Sequence, residues 1–154
     1  MKKNDLLEAW LETWDPDPTS PIPREYRAFF DCFNRGKFYE AHDVLEHLWL
    51  RCNNTDRSFY QALIQLAGAF VHFQKHATFP DHPTHKRRIA PGQRLLDLAA
   101  ARLLPYGPKH LGVDIQAVLE LCTISKNRAA LGNNPLVGFT SPALHLHSRT
   151  QLSP

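Results

Sequence analysis

Arg57-Ser-Phe-Tyr-Gln-Ala-Leu-Ile-Gln-Leu-Ala-Gly-Ala-Phe-Val-His-Phe-Gln-Lys-His76 decides the fold. Phe59, Leu63, Ile64, Leu66, Ala67, Phe70, Val71 and Phe73 recur at helical spacing and leave little polar surface. A helix apolar on most sides must be enclosed by other elements, so this one is expected at the centre of a bundle. Its polar residues are not scattered. Gln61, Gln65, Gly68, His72 and His76 fall within one narrow stripe, either a thin solvent face or one wall of a polar pocket.

The flanking sequence supplies the rest of the bundle. Upstream, a helix is predicted over about Phe38 to Cys52, closed by Asn53-Asn-Thr-Asp56. Before it, Tyr26, Phe29, Phe30 and Phe33 mark a helix that has Pro23 near its first turn and stops at Gly36. Leu6, Leu7, Trp10, Leu11 and Trp14 make Asn4 to Trp14 a short amphipathic helix that Asn4 or Asp5 would cap, and the proline-rich Asp15 to Pro23 cannot continue it. Downstream, Ala77 to Pro91 reads as a loop carrying His82, His85 and Lys86-Arg87-Arg88, a run that more often is simply solvated than a contact for an anionic partner. A fifth helix is predicted from about Gly92 to Leu104, stopped by Pro105-Tyr-Gly-Pro108, and a sixth from Asp114, its N-cap, to Leu131.

No alternating strand pattern competes with these helices. The expectation is all-α: a compact single-domain bundle of about five or six helices arranged as antiparallel hairpins. Residues 1–23 form an N-terminal helix and Pro-rich arm, 24–131 the helical core domain, and 132–154 an extended or mobile C-terminal tail.

Composition agrees and excludes several functions. The 154 residues, 43% hydrophobic and 21% charged, suit one globular domain rather than a disordered chain. A net charge of +3 falls short of a nucleic-acid footprint. No apolar run approaches the roughly 20 residues of a bilayer span, so no membrane partner is expected. Cys32, Cys52 and Cys122 are odd in number and show no C-x-x-C spacing, and Met1 to Trp14 lacks a signal peptide's apolar core, so a reducing cytoplasm is the expected compartment.

Chemistry concentrates on the third and fourth helices. On Phe38-Tyr-Glu40-Ala-His42-Asp43-Val-Leu-Glu46-His47-Leu-Trp49, the residues Phe38, Ala41, Val44, Leu45, Leu48 and Trp49 face the core. His42 and Glu46, four apart, sit together at one margin of that arc, partly desolvated, where each tunes the other's protonation. Asp43 and His47 point away from it. Glu40 lies in the first turn, where a carboxylate complements the helix dipole or closes a capping box. Gln61, Gln65 and His72 of the fourth helix would stand opposite His42 and Glu46.

Motifs for other chemistries are missing. There is no H-E-x-x-H, no carboxylate-bridged di-iron spacing, no G-x-S-x-G and no G-x-G. His42, Glu46 and His72 could supply three ligands, but without those spacings neither a metal nor another cofactor is expected. No cysteine has a histidine beside it at helical spacing.

The pattern Phe33-Asn34-x-Gly36-x-Phe38-Tyr39-Glu40-Ala41-His42-Asp43-x-x-Glu46-x-x-Trp49 resembles the domain-of-unknown-function family 309. The resemblance runs on through Arg57-x-Phe59-Tyr60-Gln61-x-x-Ile64-Gln65-x-Ala67 and His72, and more loosely to Gly92, Leu95-Leu96 and Gly112-Val113-Asp114, spanning about residues 24 to 130. It implies a compact all-helical domain with no established activity. By position, its motif residues here are Glu40, His42, Glu46, Trp49, Gln61, Gln65 and His72. The loop carrying His82 to Arg88, the Pro-rich arm and the tail depart from the shared pattern.

Three readings follow. The first is a site for a small polar ligand at Glu40, His42, Glu46, Trp49, Gln61, Gln65 and His72. Glu46 is its candidate acid/base and His42 the partner, and whether any reaction is catalysed is left open. The second is a helical-hairpin interaction module, since Gly36 to Ala41 also looks like a tetratricopeptide turn; it predicts an exposed apolar groove involving Trp10 or Trp14 and a protein partner. The third is an inert polar network with every atom paired. The chain would act as a monomer or homodimer.

Overall fold

Ten of the residues that make the fourth helix apolar are buried, from Phe59 to Phe73, and the helix runs Arg57–Thr78 (α4) through the middle of the structure. The computed structural model describes residues 2–147. Among them six α-helices follow in order: α1 (Lys3–Trp14), α2 (Arg24–Asn34), α3 (Phe38–Trp49), α4, α5 (Ile89–Leu103) and α6 (Ile115–Ala130). Helices adjacent in sequence pack on one another: α2 on α3, α3 on α4, α4 on α5 and α5 on α6, with α1 resting lightly on α2. The all-α bundle is therefore as expected. No helix among the described residues is long and apolar enough to cross a membrane.

Aromatic rings fill the core. Phe33 meets Phe38 and Phe70 edge-on at 5.1 and 5.7 Å, and Phe70 meets Phe73 at 5.7 Å, joining α2, α3 and α4. Gly36 ends α2 at φ +75°, a conformation other residues adopt at a cost, and lets α3 start two residues later. Gly92 is needed for another reason: a Cβ there would lie 2.4 Å from Phe73 Cε1, so α5 crosses α4 only because the side chain is absent.

Several boundaries differ from expectation. α5 begins at Ile89, with Pro91 inside its first turn, where a missing N–H costs nothing. The loop before it contains a 3-10 turn over His85–Arg87. Asp114 caps α6, accepting from Ala117 N–H (3.3 Å), whereas α1 has Lys2 at its N-cap and no side-chain cap. Lys109–His110 and Val113–Asp114 form a two-residue antiparallel pair, too short to leave an alternating pattern.

The segment beyond α6 is tied down as far as 147. Asn34 acts as a peptide mimic, donating to Leu144 O (2.8 Å) and accepting from Leu144 N–H (2.7 Å). Asn134 is buried and donates to Phe73 O (2.8 Å). His147 N–H donates to Gly112 O (2.8 Å). The tail expected to be extended or mobile also includes 148–154, which lie outside the described residues.

Candidate functional site

Between α3 and α4 the structure forms a seam. Phe38, Ala41, Val44 and Leu45 are buried beneath it, while His42 and Glu46 line its outer margin with side chains 31% and 38% exposed. His42 Nε2 stands 3.8 Å from Glu46 Oε2, beyond hydrogen-bonding distance. Its Nδ1 is closer to Asp43, at 3.2 Å. The desolvated pair expected from the sequence is thus an open ion-pair contact, and Asp43 joins it. Across the seam lies Gly68, where a Cβ would come 3.9 Å from His42 Cδ2 and 3.3 Å from Leu95 Cδ1 of α5.

Gln61, Gln65, Gly68 and His72 are all half-buried, so the stripe forms the α4 side of a shallow seam. Among the described residues, Trp49 Nε1 and Gln65 Oε1 are fully buried and have no hydrogen-bond partner, and the same holds for Arg102 Nε on α5. The Arg57 guanidinium covers the Trp49 ring at 4.0 Å. His72 is engaged from outside, with Arg88 Nη1 3.2 Å from its Nδ1. Burial and then the Arg88 charge lower the His72 pKa below its ordinary value. His76 leaves the stripe for Asn134, at 2.9 Å.

Glu40 belongs elsewhere. It is exposed in the first turn of α3, suited to the helix dipole, but the N-cap residue Lys37 makes no side-chain cap, so no capping box forms. Together with Lys37, Tyr39 and Asp43 it lines a cleft of about 530 Å³ whose other wall is α1, including Leu6, Leu7, Trp10 and Trp14. Trp14 donates its indole N–H to Asp31 (3.1 Å), and the Trp10 and Trp14 rings stack at 6.0 Å. The seven residues singled out from the sequence therefore divide: His42 and Glu46 pair beside Gly68, Trp49 lies under Arg57, His72 meets Arg88, Gln61 and Gln65 are half-buried on α4, and Glu40 faces the cleft.

A second cluster escaped the sequence reading. α1 lies over the outer face of α3, so Lys3 reaches Asp43 (3.3 Å) and Glu8 reaches His47 (2.5 Å). Glu8 also pairs with Arg24, and the buried Glu25 pairs with Arg51 (3.2 Å) and Arg24 (3.6 Å). The hydrogen bond from His47 holds the Glu8 carboxyl below its usual range. Ligand atoms of Glu8, Glu25 and His47 fall within 4.8 Å of one another, the spacing of a possible metal set. Two guanidiniums already occupy those carboxylates, so the group is a closed ion-pair network rather than a receptive metal centre. Its signal was invisible locally, because its partners lie on three separate helices.

Two of the three cysteines are unsuited to thiolate chemistry. Burial pushes Cys32 up to about 11 and Cys122 up to about 12, away from the thiolate form.

Residues 26–78 match the family model of a domain of unknown function (DUF309). That stretch takes in most of α2 and all of α3 and α4, and with them every residue of the seam. No curated protein and no solved structure matches the chain.

Proposed function

We propose that this all-helical domain binds a small polar ligand at the α3–α4 seam. One observation carries the reading: Trp49 Nε1, a donor, and Gln65 Oε1, an acceptor, are buried there without partners. Leaving such an atom unpaired costs roughly 1–3 kcal/mol. An inert network would have paired them, as the Glu8–Glu25–His47 cluster does. Both atoms are shielded from solvent, so a ligand reaches them only by parting α3 from α4; one offering both an acceptor and a donor then recovers that cost, with His42 and Glu46 at the margin to meet a charged group. Glu46 is the candidate acid/base, because its carboxylate is open to solvent and lacks a close hydrogen bond to His42.

The test is an NMR screen of small amides, alcohols and carboxylates that follows the Trp49 indole N–H, assigned with Trp49→Phe. Binding should shift that resonance, and Gln65→Met should weaken the shift. If no fragment moves it, or if Gln65→Met leaves every shift unchanged, the seam reading fails.

A second reading is favoured by a separate observation. The cleft beneath α1 exposes Leu6 (57%), Trp10 (39%) and Tyr39 (53%), the apolar groove with tryptophans that an interaction module would need. An apolar side chain of a protein partner would seat between Trp10 and Tyr39. Trp10→Ala should then abolish partner binding while leaving the Trp49 response intact.

A further inference from the structure

Residues 72–94 hold five of the 18 Lys and Arg residues, four of the nine histidines and a single acid, Asp81. With histidines neutral that segment carries +4, more than the +3 of the whole chain, so the remainder of the molecule is slightly acidic. The fold does not disperse this charge. The C-terminal part of α4, the 3-10 turn and the start of α5 are brought together, and Arg88, Lys75 and Arg94 together set the field at His72.

Arg88 is the centre of the cluster and is held in an unusual way. Its Nε donates to His85 Nδ1 at 2.6 Å, and its Nη1 lies 3.2 Å from His72 Nδ1. A guanidinium has no acceptor, so both imidazoles must accept through unprotonated Nδ1 atoms and remain neutral. His85 is itself stacked on His82, with ring centroids 4.4 Å apart. His82 in turn accepts the Thr84 and His85 backbone N–H groups at 3.1 and 3.3 Å.

The guanidinium is therefore fixed in place by neutral groups. Among the described residues, no carboxylate lies within ion-pair distance of Arg88, Arg87, Arg94 or Lys75. Elsewhere the same chain pairs Arg24, Arg27, Arg35 and Arg51 with acids. Arg88 also stands at the N-cap of α5, where no side chain caps the helix and its dipole adds positive potential. A half-buried, oriented cation that keeps its full charge is what recognition of a phosphoryl oxygen requires.

We propose that the α4–α5 junction is a binding site for a small molecule bearing phosphate groups. Arg88 is the anchor, His72 and His85 orient it, and Lys75, Arg87 and Arg94 supply further charge. The proposal is independent of the seam reading: Trp49 and Gln65 take no part in it, and only His72 is common to both.

The probe is inorganic pyrophosphate, titrated calorimetrically into the whole chain at low and at physiological salt. Wild type should bind one equivalent saturably. Arg88→Ala should weaken binding by about tenfold or more, the loss of a charged hydrogen bond. Lys109→Ala removes an equal charge outside the cluster and should leave affinity unchanged. Arg88→Lys keeps the charge without the planar fork and should also weaken binding; it carries the test if the alanine variant does not fold. No saturable binding by wild type, or equal losses in Arg88→Ala and Lys109→Ala, would overturn the site. Retention on phosphatidic acid vesicles that pyrophosphate fails to compete would overturn the small-molecule assignment in favour of a lipid surface.

Discussion

The two long faces of α3 carry the same kinds of residue and treat them oppositely. Toward α1, Asp43 and His47 are 15% and 12% exposed and each meets an opposite partner on α1. Toward α4, Glu46 stays 3.8 Å from His42, whose other ring nitrogen meets Asp43 at 3.2 Å, while Trp49 Nε1 and Gln65 Oε1 are buried and unpaired. Polar groups that hold a fold are paired with groups from distant elements, because an unpaired buried charge costs too much. Of the buried atoms left unpaired, Trp49 Nε1 and Gln65 Oε1 are the two that the proposed ligand would meet; Arg102 Nε on α5 is unpaired as well.

The largest expected effect tests the paired face. Glu25 is 5% exposed and holds Arg51 and Arg24, so Glu25→Ala should destabilise by about 3 kcal/mol in urea unfolding. The lower end of the range for a buried pair applies because the Arg51 side chain is 51% exposed. A loss under about 1 kcal/mol, the size of a surface pair, would mean that the α1 face is no better knit than the seam, and the contrast would collapse.

One substitution made at two glycines of the α4–α5 contact sharpens the comparison. Gly92→Ala places a methyl 2.4 Å from Phe73 Cε1, a ring of the packed core, and should cost about 2 kcal/mol. Gly68→Ala meets the end of Leu95 at 3.3 Å and touches His42 at an ordinary 3.9 Å. Its gain in helix propensity, up to about 1 kcal/mol, should outweigh the Leu95 contact and raise the melting temperature. Gln65→Met belongs to the same argument. It conserves volume and removes an unpaired acceptor, so stability should stay within about 1 kcal/mol of wild type, on the stabilising side. A destabilised Gln65→Met would show that the glutamine is a structural member of the core.

The same contrast explains what could be read before the structure. Periodicity exposed α4 and its stripe, because burial along one helix repeats at the helix's own spacing, and residue type marked the Asp114 cap. The direction of Asp43 and His47 away from the core was also legible. That α1 would cover them was not, since Lys3 and Glu8 have no spacing relation to α3. Asn34 and Asn134 anchor the segment beyond α6 through single side-chain amides, which leave no repeat. Pro91 looked like the end of a loop, although a proline is equally at home in a first turn.

Falling pH should release the two regions in sequence, with the smallest effect first. His72 has a lowered pKa, from burial and then the charges of Arg88, Lys75 and Arg94. Its unfolded form therefore binds a proton at a pH where the native form does not. Stability should begin to fall as pH drops through the ordinary value of 6.5 and go on falling to the lowered one. His72→Gln should flatten that part of the profile. Glu8 is lowered as well, by the His47 hydrogen bond, from 4.5. The stability it contributes is present above that value and is lost only as pH falls through the lower, folded one. In a Trp49→Phe background, Trp10 and Trp14 emission should therefore hold steady through the His72 window and change only in stronger acid, when α1 loosens. If both signals moved together near 6.5, α1 and the seam would be one cooperative unit, and the two faces of α3 would not be energetically distinct.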